Sequence, residues 1–237
     1  ADKYQVPRIC FINKMDRAGA DFFAVIEELK EKLGANAIPL QIPIGAEDTF
    51  RGIVDLITNK AIIWDDDSKG MNFSVIPVPD DLLEIVDEYR TRLIEGCAEE
   101  DDALLEKFFE DHNSITEDEM RAIIRQATLA MKITPVICGT AFKNKGVQQL
   151  LDSICSYLPN PYDVPAISGI NPDTDKEVTR HVDSDEPFAA LAFKIATDPF
   201  VGRIAFFRVY SGSLQSGSYV LNASTGKKER ISLIMQM

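Results

Sequence analysis

Histidine is almost missing from this 237-residue chain: His112 and His181 are its only two, too scattered to ligate a metal together, and both read as surface residues. The four cysteines, Cys10, Cys97, Cys138 and Cys155, stand alone with no C-x-x-C spacing, and they sit in apolar runs. That pattern argues against a disulfide framework or a thiolate metal site and predicts reduced core residues of a cytoplasmic protein. No metal ligands are assigned. No apolar stretch approaches the roughly 20 residues needed to cross a bilayer, so no membrane partner is expected. A charged-then-apolar leader is also lacking, and nothing points to secretion. What the chain does have is 45% hydrophobic residues, enough for more than one core.

The most informative stretch is Asn13-Lys14-Met15-Asp16, at the end of the apolar run Arg8-Ile9-Cys10-Phe11-Ile12. The run reads as a buried strand and the tetrapeptide as an N-K-x-D loop at its carboxyl end, where open α/β sheets bind ligands. A carboxylate at Asp16 can accept two parallel hydrogen bonds, from the N1–H and the 2-amino group of guanine. Adenine lacks that pair of donors, and a site left with an unpaired buried carboxylate rejects it by roughly 10⁴ or more. The stem of Lys14 can lie across the base, and the Asn13 amide can bridge backbone and base. The alternative is a strand-to-helix turn whose polar residues cap the next helix.

A second apolar run, Ile133-Thr134-Pro135-Val136-Ile137-Cys138, ends in Gly139-Thr140-Ala141-Phe142-Lys143-Asn144-Lys145-Gly146. The small residues Gly139, Thr140 and Ala141 let the backbone approach a planar base, so N–H groups there can reach the guanine 6-oxygen. A helix is predicted next, with Val147, Leu150, Leu151, Ile154 and Leu158 at helical spacing. Residues 13–16, 139–141 and 143–148 together resemble the two guanine-recognition motifs of the translational GTPases. Where that family usually shows Ser-Ala, this chain has Thr140-Ala141, which keeps the Ala backbone amide as the expected contact. Within the family, the chain resembles the bacterial elongation factor G group essentially end to end. Ile42-Pro43-Ile44-Gly45-Ala46-Glu47-Asp48-Thr49-Phe50-Arg51-Gly52-Ile53-Val54-Asp55-Leu56 carries that likeness, with residues 191–195, 198–203 and 208–220. Peptide-chain release factor 3 and the tetracycline-resistance ribosomal protection proteins share the guanine loop but resemble residues 42–56 less well.

A nucleotide hydrolase of this family needs a G-x-x-x-x-G-K-[ST] loop to cradle phosphates and hold magnesium. The sequence has none, and the 139–146 loop has no Lys-Ser or Lys-Thr pair at its end. The expectation is an internal segment of a longer protein, with the phosphate loop and switch segments before Ala1. The resemblance implies that the longer protein binds GTP or GDP with Mg2+ and, as a GTPase on the ribosome, promotes translocation of tRNA and mRNA. This segment would supply guanine recognition, with no catalytic residues and no Mg2+ ligands, and should not hydrolyse GTP alone. The implied fold class is α/β: the C-terminal part of a P-loop GTPase-type doubly wound domain, interrupted by an α+β insert and followed by the first half of an all-β barrel. A second reading is a non-catalytic module that binds the ribosomal stalk. A third is the matching segment of a release factor 3 or a ribosomal protection protein.

The formal charge of −13 is concentrated: residues 80–119 hold 16 acidic and 3 basic side chains, which accounts for the whole imbalance. One reading is a solvated helical face. The other is a docking surface for a basic protein, since charge of one sign steers association and sets orientation. In the elongation factor G group acidic insert helices dock the ribosomal stalk protein, and by that resemblance Glu84, Asp87, Glu88 and Glu95 are the candidates here.

Patterning sets the organisation. Residues 1–35 read as a GTPase-domain piece, ending in a helix over 18–34 with Phe22, Ile26, Leu29 and Leu33 on one face. An α+β insert is expected over 36–132, with strands at 38–44, 52–56, 61–64 and 73–76. Its first helix, 80–97, carries the stripe Leu82, Ile85, Val86, Tyr89, Leu93 and Cys97. A short helix follows over 102–110, then a capped helix from Thr116 to Met131 with Met120, Ile123, Ile124, Ala127 and Met131 inward. The GTPase-type pattern resumes over 133–160 and a linker is expected over 161–186, its start stiffened by the proline-rich run Pro159-Asn160-Pro161-Tyr162-Asp163-Val164-Pro165. Strands at 188–195, 203–210, 217–222 and 229–234, with 212–217 as a hairpin loop, read as the N-terminal half of a second-domain β-barrel over 187–237. A cut barrel leaves an unpaired edge. Arg203, Arg208, Lys227, Lys228 and Arg230 suit either contact with ribosomal RNA or a solvated barrel exterior.

Overall fold

Three apolar segments far apart in sequence pair as a parallel sheet: β1 (Cys10–Ile12), β2 (Ala37–Pro39) and, beyond the whole insert, β7 (Thr134–Cys138), which lies between the other two. The computed structural model describes residues 1–65, 68–98, 106–107, 114–171 and 174–235. It divides into two units, Ala1–Pro159 and Asn160–Met237. Strand β7 is buried at every position, as a central parallel strand should be. Between β1 and β2 runs α1 (Phe22–Leu33), capped by Asp21, whose side chain accepts from the Ala24 N–H, and ended by Gly34 in left-handed backbone at φ 62. Phe22 and Ile26 are buried and Leu29 packs against the core, as predicted. Leu33 does not: it is the last helical residue, beyond the packed turns, and is 72% exposed.

The apolar run expected as one strand over 38–44 is two. Strand β2 belongs to the parallel sheet, whereas β3 (Gln41–Ile44) opens an antiparallel sheet ordered β3-β4-β5-β6, with β4 (Gly52–Asp55), β5 (Lys60–Trp64) and β6 (Phe73–Pro77). Leu40 sits at the junction. Its N–H donates to the Val136 carbonyl at 2.9 Å, and its own carbonyl accepts from the Leu56 N–H at 3.0 Å, so one residue serves both sheets. Periodicity could not separate the strands, because both are largely buried. Three residues counted with the insert therefore pair in the parallel sheet.

A single 3₁₀ turn, Asp80–Leu82, leads into α2 (Leu83–Ala98). Val86, Leu93 and Cys97 are buried as the stripe predicted, with Ile94, which the stripe omitted, joining them. Arg90 ties this helix to the end of β4 by donating to the carbonyls of Leu56 and Ile57. Of the short helix expected over 102–110, only Glu106 and Lys107 lie among the described residues, and His112 lies outside them. Helix α3 (Glu117–Leu129) opens with the predicted capping box: Thr116 Oγ1 accepts the Glu119 N–H at 3.3 Å and Glu119 Oε2 accepts the Thr116 N–H at 2.8 Å. Met120, Ile123, Ile124 and Ala127 are buried. Met131 lies past the helix end in left-handed backbone at φ 59 and is only half-buried.

The last helix of this unit, α4 (Val147–Tyr157), buries Ser153 and Tyr157, and of the predicted stripe Leu150 packs against the core while Val147 and Leu158 are half-buried. Leu151 and Ile154 are 56% and 39% exposed, since no described element covers them. Arg125 of α3 closes the end of α4 by donating to the carbonyls of Ser156 and Leu158, at 3.0 and 3.1 Å. All four cysteines are free: Cys97 and Cys138 are buried, Cys10 is half-buried, and Cys155, expected in the core, is exposed on α4. Burial pushes the Cys97 thiol up to about 12 and raises that of Cys138, which keeps both unreactive at neutral pH.

In the second unit, β8 (Ile167–Ile170) and β9 (Glu177–Arg180) pair as a hairpin inside the stretch expected to be linker. Strands β10 (Ala189–Asp198) and β11 (Gly202–Ser211) form a longer hairpin, and β12 (Tyr219–Asn222) and β13 (Lys227–Arg230) another. The predicted strand over 229–234 instead starts opposite Asn222, at Lys227, and ends at Arg230. Residues 212–217 join two hairpins rather than closing one. Leu191, Phe193 and Ile195 each remain more than half exposed. No helix among the described residues is long and apolar enough to cross a membrane.

Candidate nucleotide-binding site

Because β1 and β7 are neighbours running the same way, the loops after them meet. The Gly139 N–H donates to the Ile12 carbonyl at 3.0 Å, and the Met15 N–H donates to the Gly139 carbonyl at 3.2 Å. Asn13 Oδ1 accepts twice, from the Ala141 N–H at 2.9 Å and the Lys14 N–H at 2.8 Å. Lys14 sits in left-handed backbone at φ 66, a conformation that costs a residue with a side chain about 1–2 kcal/mol. The bonds on either side of it over-determine the turn, and such strain held by its surroundings clusters at ligand sites. Met15 is 1% exposed and anchors the loop in the core, while Asn13 and Lys14 are exposed above it.

Asp16 faces the second loop. Its Oδ1 accepts from Thr140 Oγ1 at 2.6 Å, and its Oδ2 lies 2.9 Å from Lys143 Nζ. The Thr140 hydroxyl, then the Lys143 ammonium, hold the carboxyl below the usual carboxylate range, so Asp16 is an anion at neutral pH. A carboxylate offers about four acceptor positions. The Thr140 hydroxyl and the Lys143 ammonium draw on one each and the residue's own backbone N–H on a third, so a ligand with two donors takes the remaining position and shares another.

The structure changes two details of the expected chemistry. Ala141 N–H, the expected donor to a guanine 6-oxygen, is engaged by Asn13 Oδ1. A base must therefore share that hydrogen or draw on another donor of the loop, such as Asn13 Nδ2 or the Lys14 ammonium. Gly139 is required by the loop itself: a Cβ there would lie 2.3 Å from the Lys145 carbonyl oxygen and 2.9 Å from the Phe11 ring. Gly146, at φ 86, would meet the Cys138 carbonyl at 2.6 Å. Between these glycines Thr140 and Lys145 exchange backbone hydrogen bonds at 2.9 and 3.2 Å, which folds the loop tightly enough to aim Thr140 at Asp16. Lys143 was not singled out for its side chain in the sequence, and the signal for it, a lysine two residues past Ala141, was present.

The second set of candidates lies elsewhere. Glu84, Asp87, Glu88 and Glu95 are all exposed on α2, with Glu88 paired to Arg92 at 2.5 Å. In the second unit Arg203, Arg208, Lys227, Lys228 and Arg230 are all exposed.

With this geometry in hand, the likenesses to known proteins are specific. Residues 1–160 match the family model described as Elongation factor Tu GTP binding domain, and residues 187–237 match Elongation factor G domain 2. An Elongation factor G from Amoebophilus asiaticus is 64% identical over all 237 residues, and those from Cytophaga hutchinsonii and Karelsulcia muelleri are each 56% identical over the same length. The chain spans about a third of these relatives, 33%, 34% and 34% of their lengths. A crystal structure of a Thermus thermophilus protein has a TM-score of 0.74 at 24% identity, covering 98% of this chain and 31% of that one, a likeness of fold. The two loops that meet at Asp16 thus lie in a matched GTP-binding domain, and the chain belongs to the translational GTPases, in their elongation factor G family.

Proposed function

We propose that this chain supplies guanine recognition to a ribosome-dependent GTPase that binds GTP or GDP and promotes movement of tRNA and mRNA. Asp16 is the base-reading carboxylate, Asn13 and Lys14 line the base, Met15 anchors the loop, and Gly139, Thr140 and Ala141 form the facing wall. The observation that supports the reading is the ionised Asp16 carboxylate, held by Thr140 and Lys143 toward the second loop. Phosphate and Mg2+ binding are assigned to residues outside this sequence, which contains no G-x-x-x-x-G-K-[ST] loop. Work on the ribosome makes the protein cytoplasmic. The exposed carboxylates of α2 are offered to a ribosomal stalk protein, and the exposed basic residues of the second unit to ribosomal RNA.

The test is competition for a fluorescent GDP analogue on the full-length protein. GDP is expected to displace the analogue and ATP is not, and Asp16→Asn is expected to remove that discrimination, because an amide cannot accept from both guanine donors. Displacement by ATP as effective as by GDP would overturn the base reading.

A further inference from the structure

The antiparallel sheet of the insert touches both base-facing loops, and one of its residues grips the first loop on either side of Asp16. Glu47 lies in the 3₁₀ turn Glu47–Thr49 that joins β3 to β4. Its backbone N–H donates to the Met15 carbonyl at 2.9 Å, and its Oε1 accepts from the Gly19 N–H at 2.6 Å. The residue is held in left-handed backbone at φ 55. The turn around it is braced: Thr49 Oγ1 accepts the Ala46 N–H at 3.1 Å and donates to the Ala46 carbonyl at 2.6 Å. Gly45, at φ 78, already leaves so little room that a Cβ would lie 2.2 Å from the Thr49 carbonyl oxygen. A side chain in a conformation it ordinarily avoids, with bonds to both ends of a neighbouring loop, fits a role in setting that loop's shape.

The second loop is met by the turn between β5 and β6. The Gly70 carbonyl accepts from Gln148 Nε2 at 3.2 Å. At φ 75, a Cβ on Gly70 would come within 2.3 Å of the Lys143 carbonyl oxygen. Lys143 is the residue whose ammonium pairs with Asp16.

We propose that Glu47 is a positioning residue for guanine recognition, through which the insert sets the placement of Asp16. The proposal rests on the guanine reading above. Binding constellations lose much of their selectivity when their support shifts by fractions of an ångström. Selectivity for the guanine 2-amino group is therefore what Glu47 should govern, beyond any general contribution to folding.

The experiment measures GDP and inosine diphosphate, which lacks the 2-amino group, by competition against the fluorescent analogue on the full-length protein. Glu47→Ala and Glu47→Asp are expected to weaken GDP by about three- to tenfold, the range one lost hydrogen bond gives, and to narrow the preference for GDP over inosine diphosphate. Glu47→Gln is expected to keep both, since its amide oxygen still accepts from Gly19. An unchanged GDP preference in the alanine and aspartate variants, beside its collapse in Asp16→Asn, overturns the role of Glu47 and leaves the base reading intact. Equal weakening of both nucleotides also overturns it, because only a structural loss acts that evenly. If Asp16→Asn keeps the preference, the base reading fails first. Should the alanine variant not fold, the aspartate variant, which retains the charge but retracts it, decides the matter.

Discussion

At the scale of single residues, the site is a carboxylate whose ionisation is fixed by its neighbours. Asp16 has its folded-state pKa lowered, which favours the ionised form, first by the Thr140 hydroxyl and then by Lys143. The sign follows: the stabilising contribution is complete above the ordinary aspartate value of about 3.9 and is lost only as pH falls through the depressed folded value. Thr140→Ala removes the leading cause, so the Asp16 titration should move up toward the ordinary range, and Thr140→Ser should restore it. Following the Asp16 side-chain carbon by NMR as pH is lowered checks this, and an unmoved titration in the alanine variant would show that Thr140 is not the cause. That the 13–16 and 139–141 loops come together, Asp16 on Thr140 and Asn13 on Ala141, was legible in the sequence because each loop is a local motif. The Lys143 pairing and the Glu47 grip were not. Each joins segments that are distant along the chain, Glu47 and Gly19 being 28 residues apart, and no local pattern encodes such an approach.

At the scale of elements, caps and termini read well while burial read unevenly. The Thr116 capping box was visible as a four-residue signature and is present in the structure. Thr116→Ala should cost about 1 kcal/mol, measured by denaturant unfolding, and an unchanged midpoint would mean that the box contributes nothing. Its partner Glu119 is held down to about 2 by Lys107 and by the Thr116 N–H and hydroxyl, against an ordinary 4.5. A depressed acid stabilises above its unfolded value and stops doing so as pH falls through the folded one. Acid should therefore weaken the start of α3 between about pH 4.5 and 2. The elements that misled were those whose neighbours decide which face is covered. Leu151 and Ile154 have the spacing of a buried stripe, yet nothing described packs on them, and the division at Leu40 between two sheets leaves no trace in hydrophobicity.

At the scale of the whole molecule, charge separates the parts more clearly than sequence pattern does. The acidic excess falls within residues 80–119, and its candidate docking residues on α2 are exposed. Binding of the full-length protein to a ribosomal stalk protein should weaken as salt rises, since screening shortens to about 8 Å at physiological ionic strength. Glu84→Lys or Asp87→Lys should weaken it further at low salt. Binding that ignores both salt and charge reversal would remove α2 from consideration. The same titration against ribosomal RNA should show a salt slope that falls by about one for each of Arg203 or Lys228 neutralised. The order of helices and strands was legible from spacing and the α/β class from the family resemblance, but the β8–β9 hairpin was not, because short polar strands such as Glu177–Arg180 lack apolar alternation.

The strand order β1-β7-β2 also sets a schedule. Both outer strands are made early, and the one that joins them is translated only after the insert, since β2 ends at Pro39 and β7 begins at Thr134. At about 5–20 residues per second, that interval lasts roughly 5–20 s. For that time β1 and β2 lack the strand that pairs with each of them in this sheet, and the 139–146 wall of the pocket does not exist until β7 has been made. A slower stretch of codons between Pro39 and Thr134 would lengthen that interval without altering a single residue of the finished protein.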